Sequence, residues 1–423
     1  MGTHNLILLF IHVVLFMAPG ILSAGRRDVD ESINQHGDPH HPELFAAEFG
    51  AAPKRRNLKA CVAVNQIDKC WRCKADWADN RQALADCALG FGKGTTGGKG
   101  GDIYEVTDPS DDDFTEPKEG TLRWGVTRDR PLWITFAKDM VINLKQELVI
   151  NNDKTIDGRG AAVEICNGGG LSVFKVKNVI IHGIHIHDIQ ETPGGDIKSN
   201  EGKAMPRSKH DGDGIMVFGS TNVWIDHCWF HDGPDGLIDV TMGSTMVTIS
   251  NCKFSKHDKV MLLGADATHS EDKAMKVTLA YNKFVEGCIQ RMPRCRWGLT
   301  QVVNNDFEKW GEYAIGGSNE PTILSQGNKY VAPDGANYKE VTRRAEATED
   351  EWSKWSWKSE NDVLENGATF KQSGGDIPIT PEMITPDTTP LMLAYSCALL
   401  GRLVKHPKQP TLRWCRGIRT VTV

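Results

Sequence analysis

Four absences limit what this chain of 423 residues can be: it has no net basic charge, no second long apolar run, no N-x-Ser/Thr sequon and no second CxxC pair. A formal charge of −6 argues against nucleic acid as the main partner, because phosphate binding needs a basic surface. It leaves a polyanionic ligand open, since a metal cation and a few local Lys and Arg residues can reverse the potential inside one groove. Past the N-terminal leader no stretch is apolar enough to span a bilayer, so no membrane partner is expected once that leader is removed. The missing sequon predicts no N-glycosylation. The lone CWRC, without a second CxxC or a paired histidine, does not support a zinc or redox reading. A charged fraction of 25% against 39% hydrophobic residues is ordinary, which excludes general disorder and permits a sizeable core.

What the sequence does hold begins with an apolar leader from Asn5 to Ala24, broken by Pro19 and Gly20, closed by Ser23 and Ala24, and followed by Gly25, Arg26 and Arg27. That pattern reads as a signal peptide over residues 1–24 and predicts a secreted protein of the extracellular space or cell wall. Residues 25–60 are polar and rich in His, Pro and Arg, and read as an N-terminal arm. Eleven cysteines in a secreted chain imply disulfides with at least one thiol left over. Cys70 and Cys87 bracket a helical-looking stretch and are the best local pair, with Cys73 able to compete for either. Residues 61–385 read as one domain, opening with a helical cap over 61–92; residues 386–423 form an irregular basic tail.

The main signal is a repeat. VWIDHCWF, VTISNCKF, VTLAYNKF, TQVVNNDF and TILSQGNKY end at Phe230, Phe254, Phe284, Phe307 and Tyr330, which lie 24, 30, 23 and 23 residues apart; VIIHGIHI, ending at Ile186, is a plausible first member. Such a period suits a solenoid of short parallel strands with like residues stacked. Two positions before each aromatic stand Cys228, Cys252, Asn282, Asn305 and Asn328. Asparagines stacked at a strand spacing of about 4.8 Å can form a hydrogen-bonded ladder. For Cys228 and Cys252 two readings stay open, a disulfide between rungs or a pair of buried thiols. The scarcity of hairpin turn signals argues against a propeller or sandwich. From about residue 336 the repeat is no longer readable, and EATEDEWSKWSWKSENDVLENG is expected to cover one end or side of the stack. The fold class is therefore all-β, a parallel β-helix with an N-terminal helical cap and a C-terminal covering segment.

Three clusters fall on consecutive repeats. Asp211 and Asp213 in HDGDGI, with Asp235 and Asp239 in DGPDGLID, offer the oxygens that calcium prefers. No EF-hand loop is present, because Gly214 and Ile215 stand where that motif needs another ligand. A single DGD is more often a pair of turn aspartates than a metal site. Lys259 follows one coil later, and RMPRCR then supplies Arg291, Arg294 and Arg296 around Pro293. Taken alone, these are a surface lysine and a basic turn. Together they describe a carboxylate site beside fixed cations, and the natural ligand is a polymer carrying a carboxylate on each sugar. Drawing charge from a uronate carboxylate acidifies the neighbouring C5 proton, after which loss of the C4 oxygen breaks the chain without water. Two other groups draw blander readings: Asp226 and His227 as an internal hydrogen-bonding pair, and His182, His185 and His187 as an alternating strand pattern with no fourth ligand for zinc nearby.

CWRCKADWADNRQALADCALGFGKGTTGG, NDKTIDGRG, NVIIHGIHIHDI, DGDGI, VWIDH, DGLIDVTMGST, KVMLLGAD, QRMPRCRWG and YAIGGSNEPTILSQGN together resemble the plant pectate lyases of polysaccharide lyase family 1, and especially their pollen-allergen branch, from about Cys70 to Pro333. The resemblance implies a right-handed β-helix, a Ca2+ cofactor, polygalacturonate (pectate) as substrate and a monomer. It implies Asp213, Asp235 and Asp239 as calcium ligands with Asp211 beside them, Lys259 and Arg296 as binders of the substrate carboxylate, and Arg291 as the base taking the C5 proton. An arginine can act as a base only where its surroundings favour the neutral form during turnover. Two rivals share the fold: a non-catalytic or weakly active pectin binder, and a polygalacturonase-type hydrolase, which would need its carboxylates as acid and base.

Overall fold

The computed structural model describes residues 63–285 and 287–387. The leader, the arm and all but the first two residues of the basic tail lie outside the described residues.

Among the described residues three long sheets of ten, nine and eight strands dominate, and the pairings within them are parallel. Each coil of chain gives one strand to each sheet in turn. Thr221–Asp226 joins the ten-stranded sheet, Trp229–His231 the nine-stranded and Ile238–Thr241 the eight-stranded, before Thr245–Ser250 returns to the first, one rung on. Crossover connections between parallel strands of one sheet are right-handed, and the chain is a right-handed parallel β-helix.

The tight corner from the first sheet to the second depends on one left-handed residue per coil: Gly183, His227, Asn251, Tyr281, Asn304 and Gly327 all hold φ between 52° and 75°. Glycine and asparagine tolerate that region at small cost. Directly after the corner comes the expected ladder. Asn282 Nδ2 donates to Asn305 Oδ1 at 3.0 Å, and Asn305 Nδ2 to Asn328 Oδ1 at 2.9 Å. Each amide also donates one coil back, to the carbonyls of Ile249, Leu279 and Val302. The two cysteines of the ladder are buried free thiols. Their sulfurs occupy the asparagine station and point at the equivalent carbonyls, Cys228 Sγ at Ile181 O (3.7 Å) and Cys252 Sγ at Ile225 O (3.8 Å). Of the two open readings, the thiol pair is the one the structure adopts, because each sulfur takes the place of an amide in the ladder.

Inside the coil the aromatics stack. Phe230, Phe254, Phe284, Phe307 and Tyr330 follow one another with ring centroids 5.3, 4.9, 4.7 and 4.6 Å apart. Ile186 pairs with Phe230 and begins the row. The coils extend further at both ends than the repeat suggests. Upstream, strands run back to Asp102–Val106 with Val, Ile and Leu filling the core. Downstream, Thr342–Arg344, Trp357–Glu360 and Val363–Glu365 add another coil where the repeat seemed to stop. There Asp362 replaces the ladder asparagine, accepting from Asn328 N at 2.7 Å, and Leu364 pairs with Tyr330 where an aromatic would stand.

The expected helical segment holds the helix Gln66–Trp71 and the 3-10 turns Arg81–Cys87 and Gly90–Gly92, joined by the Cys70–Cys87 disulfide. Cys73 is engaged in a disulfide of its own. The segment lies along the outer face of the ten-stranded sheet, where Ile67, Trp71 and Leu84 pack with Trp133, Ile180 and Trp224. The separate helix Leu122–Val126 sends Leu122 and Val126 into the core within the coil. Near the C-terminus Ile384 exchanges two hydrogen bonds with Gln301, and Asp387 N donates to Asn304 at 2.8 Å.

The Asp226 and His227 pair is an internal hydrogen-bonding pair as expected, but it stands at the strand end and corner rather than within a strand. His227 bridges Asp226 (2.6 Å) and Asp68 of the first helix (3.0 Å), and Asp226 also meets His182 at 2.9 Å. Burial opposes charge on His227, but the Asp226 and Asp68 carboxylates outweigh it and raise its pKa to about 10.

Two outcomes follow. Asn305→Ala removes donors to Leu279, Val303 and Asn328 and the acceptor for Asn282. With each stranded polar group costing about 1–3 kcal/mol, chemical denaturation should show a loss of roughly 3–5 kcal/mol; a loss under about 1 kcal/mol would remove the ladder as a main support. Because the folded pKa of His227 lies above its ordinary 6.5, its contribution is complete below pH 6.5 and is lost as pH rises towards about 10. His227→Gln should flatten the decline of stability over that window relative to the parent, measured by urea unfolding; parallel curves would contradict the ion-pair account.

Candidate active site

The eight-stranded sheet positions the site. Arg294–Arg296, Met261–Leu263, Ile238–Thr241 and Ile215–Phe218 are successive neighbours in it. Asp213, Asp235, Lys259 and Arg291 each stand two or three residues before one of these strands, within one residue of a common station on four successive coils. Backbone bonds lock the stations together: Gly214 N to Gly236 O (3.0 Å), Leu237 N to Val260 O (3.0 Å) and Met261 N to Arg291 O (2.8 Å). Asp239 lies within its strand, opposite Leu262, which in turn pairs with Arg294.

The four aspartates form one cluster. Asp211, Asp213 and Asp235 offer oxygens within 4.8 Å of one another. Asp213 is buried, and its Oδ1 has no hydrogen-bond partner. Burial and then the charge of Asp239 push its carboxyl well above the usual range. Asp239 is raised to about 7 by burial and by Asp235, with the Leu262 N–H and the Arg291 charge acting the other way. Gly236 makes this closeness possible: a Cβ there would fall 2.2 Å from Asp239 Oδ1 and 2.9 Å from Asp213 Oδ1. Mutually repelling, under-bonded carboxylates around a small hollow suit a hard cation with oxygen ligands.

The cations face this cluster. Lys259 Nζ meets Asp235 Oδ1 at 2.9 Å, and His257 Nε2 lies 2.6 Å from the Asp235 carbonyl, fixing the loop. Asp235 and Lys259 line an open cleft of about 430 Å3 together with Asp232, Pro234, Lys256 and His257. Arg296 stands apart from the aspartates. Its Nη1 donates to the carbonyls of Gly264 (3.1 Å) and Ala265 (2.9 Å), and burial lowers its pKa, followed by the charge of Arg294. Arg294 pairs with Glu346 at 2.9 Å, an acidic partner that the sequence did not single out. The structure thus brings Asp211, Asp213, Asp235, Asp239, Lys259 and Arg291 together, with Arg296 beside Arg291 at the edge of the group.

A parallel β-helix with a carboxylate cluster and fixed cations across one sheet is the frame on which the family match and its relatives identify a polysaccharide lyase. The chain belongs to the pectate lyase family, whose pattern matches residues 85–374. It is 60% identical over 328 residues to pectate lyase 4 of Ambrosia artemisiifolia, covering 78% of this chain and 82% of that relative. It is 52% identical over 390 residues to a pectate lyase of Lilium longiflorum, covering 86% and 90%. Among solved structures, jun a 1, the major allergen from cedar pollen, superposes with a TM-score of 0.77 at 45% identity, covering 79% of this chain and 99% of that one. Among the described residues no helix is long and apolar enough to cross a membrane.

The hollow at Gly236 gives a direct test. Gly236→Ala should leave the circular dichroism spectrum unchanged while abolishing the rise in melting temperature that added calcium gives the parent protein. An equal rise in both would show that the hollow is not the cation site.

Proposed function

We propose that this chain cleaves de-esterified pectin, (1→4)-α-D-galacturonan, by calcium-dependent β-elimination, and that it does so as a secreted monomer in the extracellular space or cell wall. The observation that carries the reading is the junction of Asp235 with Lys259, set between the other aspartates and Arg291 on neighbouring coils. Asp213, Asp235 and Asp239 would hold the ion, with Asp211 flanking them. When bound, calcium supplies a positive centre that draws charge from the substrate carboxylate.

The remaining work falls to this chain's side chains. Lys259, paired with Asp235 at 2.9 Å, would engage the uronate carboxylate together with Arg296, while Asp235 would be among the residues holding the ion. Both cations stabilise the charge that builds on the carboxylate as the C5–H bond weakens. Arg291, in its neutral form, takes the C5 proton; the C5 electron pair forms the C4=C5 double bond as the C4–O bond breaks, and solvent protonates the departing oxygen. The products are an oligogalacturonide whose new non-reducing end is the 4,5-unsaturated sugar and a fragment with a new reducing end, with no water consumed at the bond.

Incubation with polygalacturonate should give an ultraviolet-absorbing unsaturated product that disappears with chelator and returns with calcium. Arg291→Ala should lower turnover by about 10²–10⁴-fold, the range for loss of an acid–base group, with calcium-induced stabilisation intact. Reducing ends without the chromophore would indicate a hydrolase. Tight binding of the polymer without product would leave a galacturonan-binding protein on this fold.

A further inference from the structure

A second cluster of metal-binding side chains lies on the nine-stranded sheet, its flanking carboxylates Asp188 and Asp232 bordering the cleft that Asp235 and Lys259 line. His185 and His187 belong to the strand His185–His187, and His231 to the next strand, Trp229–His231, where it is paired in register with His187. Read singly, the first strand offered two histidines and no further ligand; stacking supplies the third. Their ring nitrogens lie within 4.8 Å of one another. His185 Nε2 and His231 Nε2 are only 2.9 Å apart, close to the separation of about 3.3 Å between two ligands that each sit 2.0–2.1 Å from a tetrahedral zinc.

The surroundings point the same nitrogens inward. Asp188 Oδ2 holds His187 Nδ1 at 2.7 Å, and Asp232 Oδ2 holds His231 Nδ1 at 2.8 Å. Carboxylates on Nδ1 fix the tautomer that leaves a lone pair on Nε2, which in His231 accepts a hydrogen bond from His185 Nε2; metal-ligating histidines commonly carry such carboxylate partners. His187 is 6% exposed, and its Nε2 makes no hydrogen bond, so the histidine ladder by itself leaves one buried ring nitrogen unexplained. Glu164, one coil earlier, places Oε2 at 3.5 Å from that nitrogen and completes a possible fourth position. Cys166 is near the same group but is disulfide-bonded and offers no thiolate.

We propose that His185, His187 and His231, with Glu164 as fourth ligand, form a binding site for a borderline transition-metal cation of the Zn2+ type, separate from the aspartate cluster. Glu164, Asp188 and Asp232 bring three carboxylates to the group; Lys253 lies over the Trp229 ring at 4.5 Å, and Lys256 and Lys259 line the cleft that Asp188 and Asp232 border. The site does not depend on the chain being a lyase.

The test is a zinc titration of the full chain, stripped with chelator and then held in excess calcium to occupy the aspartates. One equivalent of Zn2+ should bind with micromolar or tighter affinity. His231→Gln, which keeps much of the side-chain volume, should weaken that binding by at least tenfold, whereas replacing His36, His40 and His41 of the N-terminal arm should not. X-ray absorption of the zinc-loaded parent should show three imidazole nitrogens, a readout that does not depend on any variant folding. Absence of stoichiometric binding, loss of it only with the arm substitutions, or an all-oxygen shell would each overturn the proposal.

Discussion

Stacking each coil on the one before at a strand spacing of about 4.8 Å forces like stations of the chain into contact, however far apart they are in sequence. The constraint is imposed by backbone hydrogen bonds, and every other feature is arranged on it. The amide ladder works because Asn282, Asn305 and Asn328 each meet the same carbonyl one coil back. The phenylalanine row works because the same register holds rings about 5 Å apart inside the coil. Four loops entering one sheet give the aspartates, the lysine and the arginines a common side for the same reason.

Register also makes the electrostatics severe. Asp213, Asp235 and Asp239 cannot move apart, since their loops are tied by the bonds that join Gly214 to Gly236 and Leu237 to Val260. Burial and that repulsion together raise the carboxyl pKa of Asp213 and of Asp239, and an oxygen of Asp213 is left without a partner. Buried like charges of this kind are often found at functional sites.

Where the stacked residues were chemically alike, the coil could be read directly from the sequence, as with Phe230 to Tyr330 and Asn282 to Asn328. It could not be read before Val179, where aliphatic residues fill the core without an aromatic marker, or after Tyr330, where Asp362 and Leu364 occupy the ladder and ring stations. Asp213, Asp235, Asp239, Lys259 and Arg291 could be picked out as a set because they fall on consecutive repeats. The partnership of Arg294 with Glu346 crosses 52 residues and has no local signature. The histidine cluster was open to detection: laying HIHD over WFHD aligns His187 with His231 and Asp188 with Asp232. Judging the first strand on its own concealed it.

The left-handed corners give the architecture a modular character. Each coil closes on itself and hands the next an equivalent edge, so length can change by whole turns without disturbing what lies above or below. A turn duplicated beyond Lys329–Val331 would lengthen the stack and leave the aspartates and their facing cations untouched. The same insertion between Asp235 and Lys259 would part them by one strand spacing and break their ion pair. Tolerance to growth in such a protein is therefore unevenly distributed, generous at the ends and absent over the few turns that share the groove.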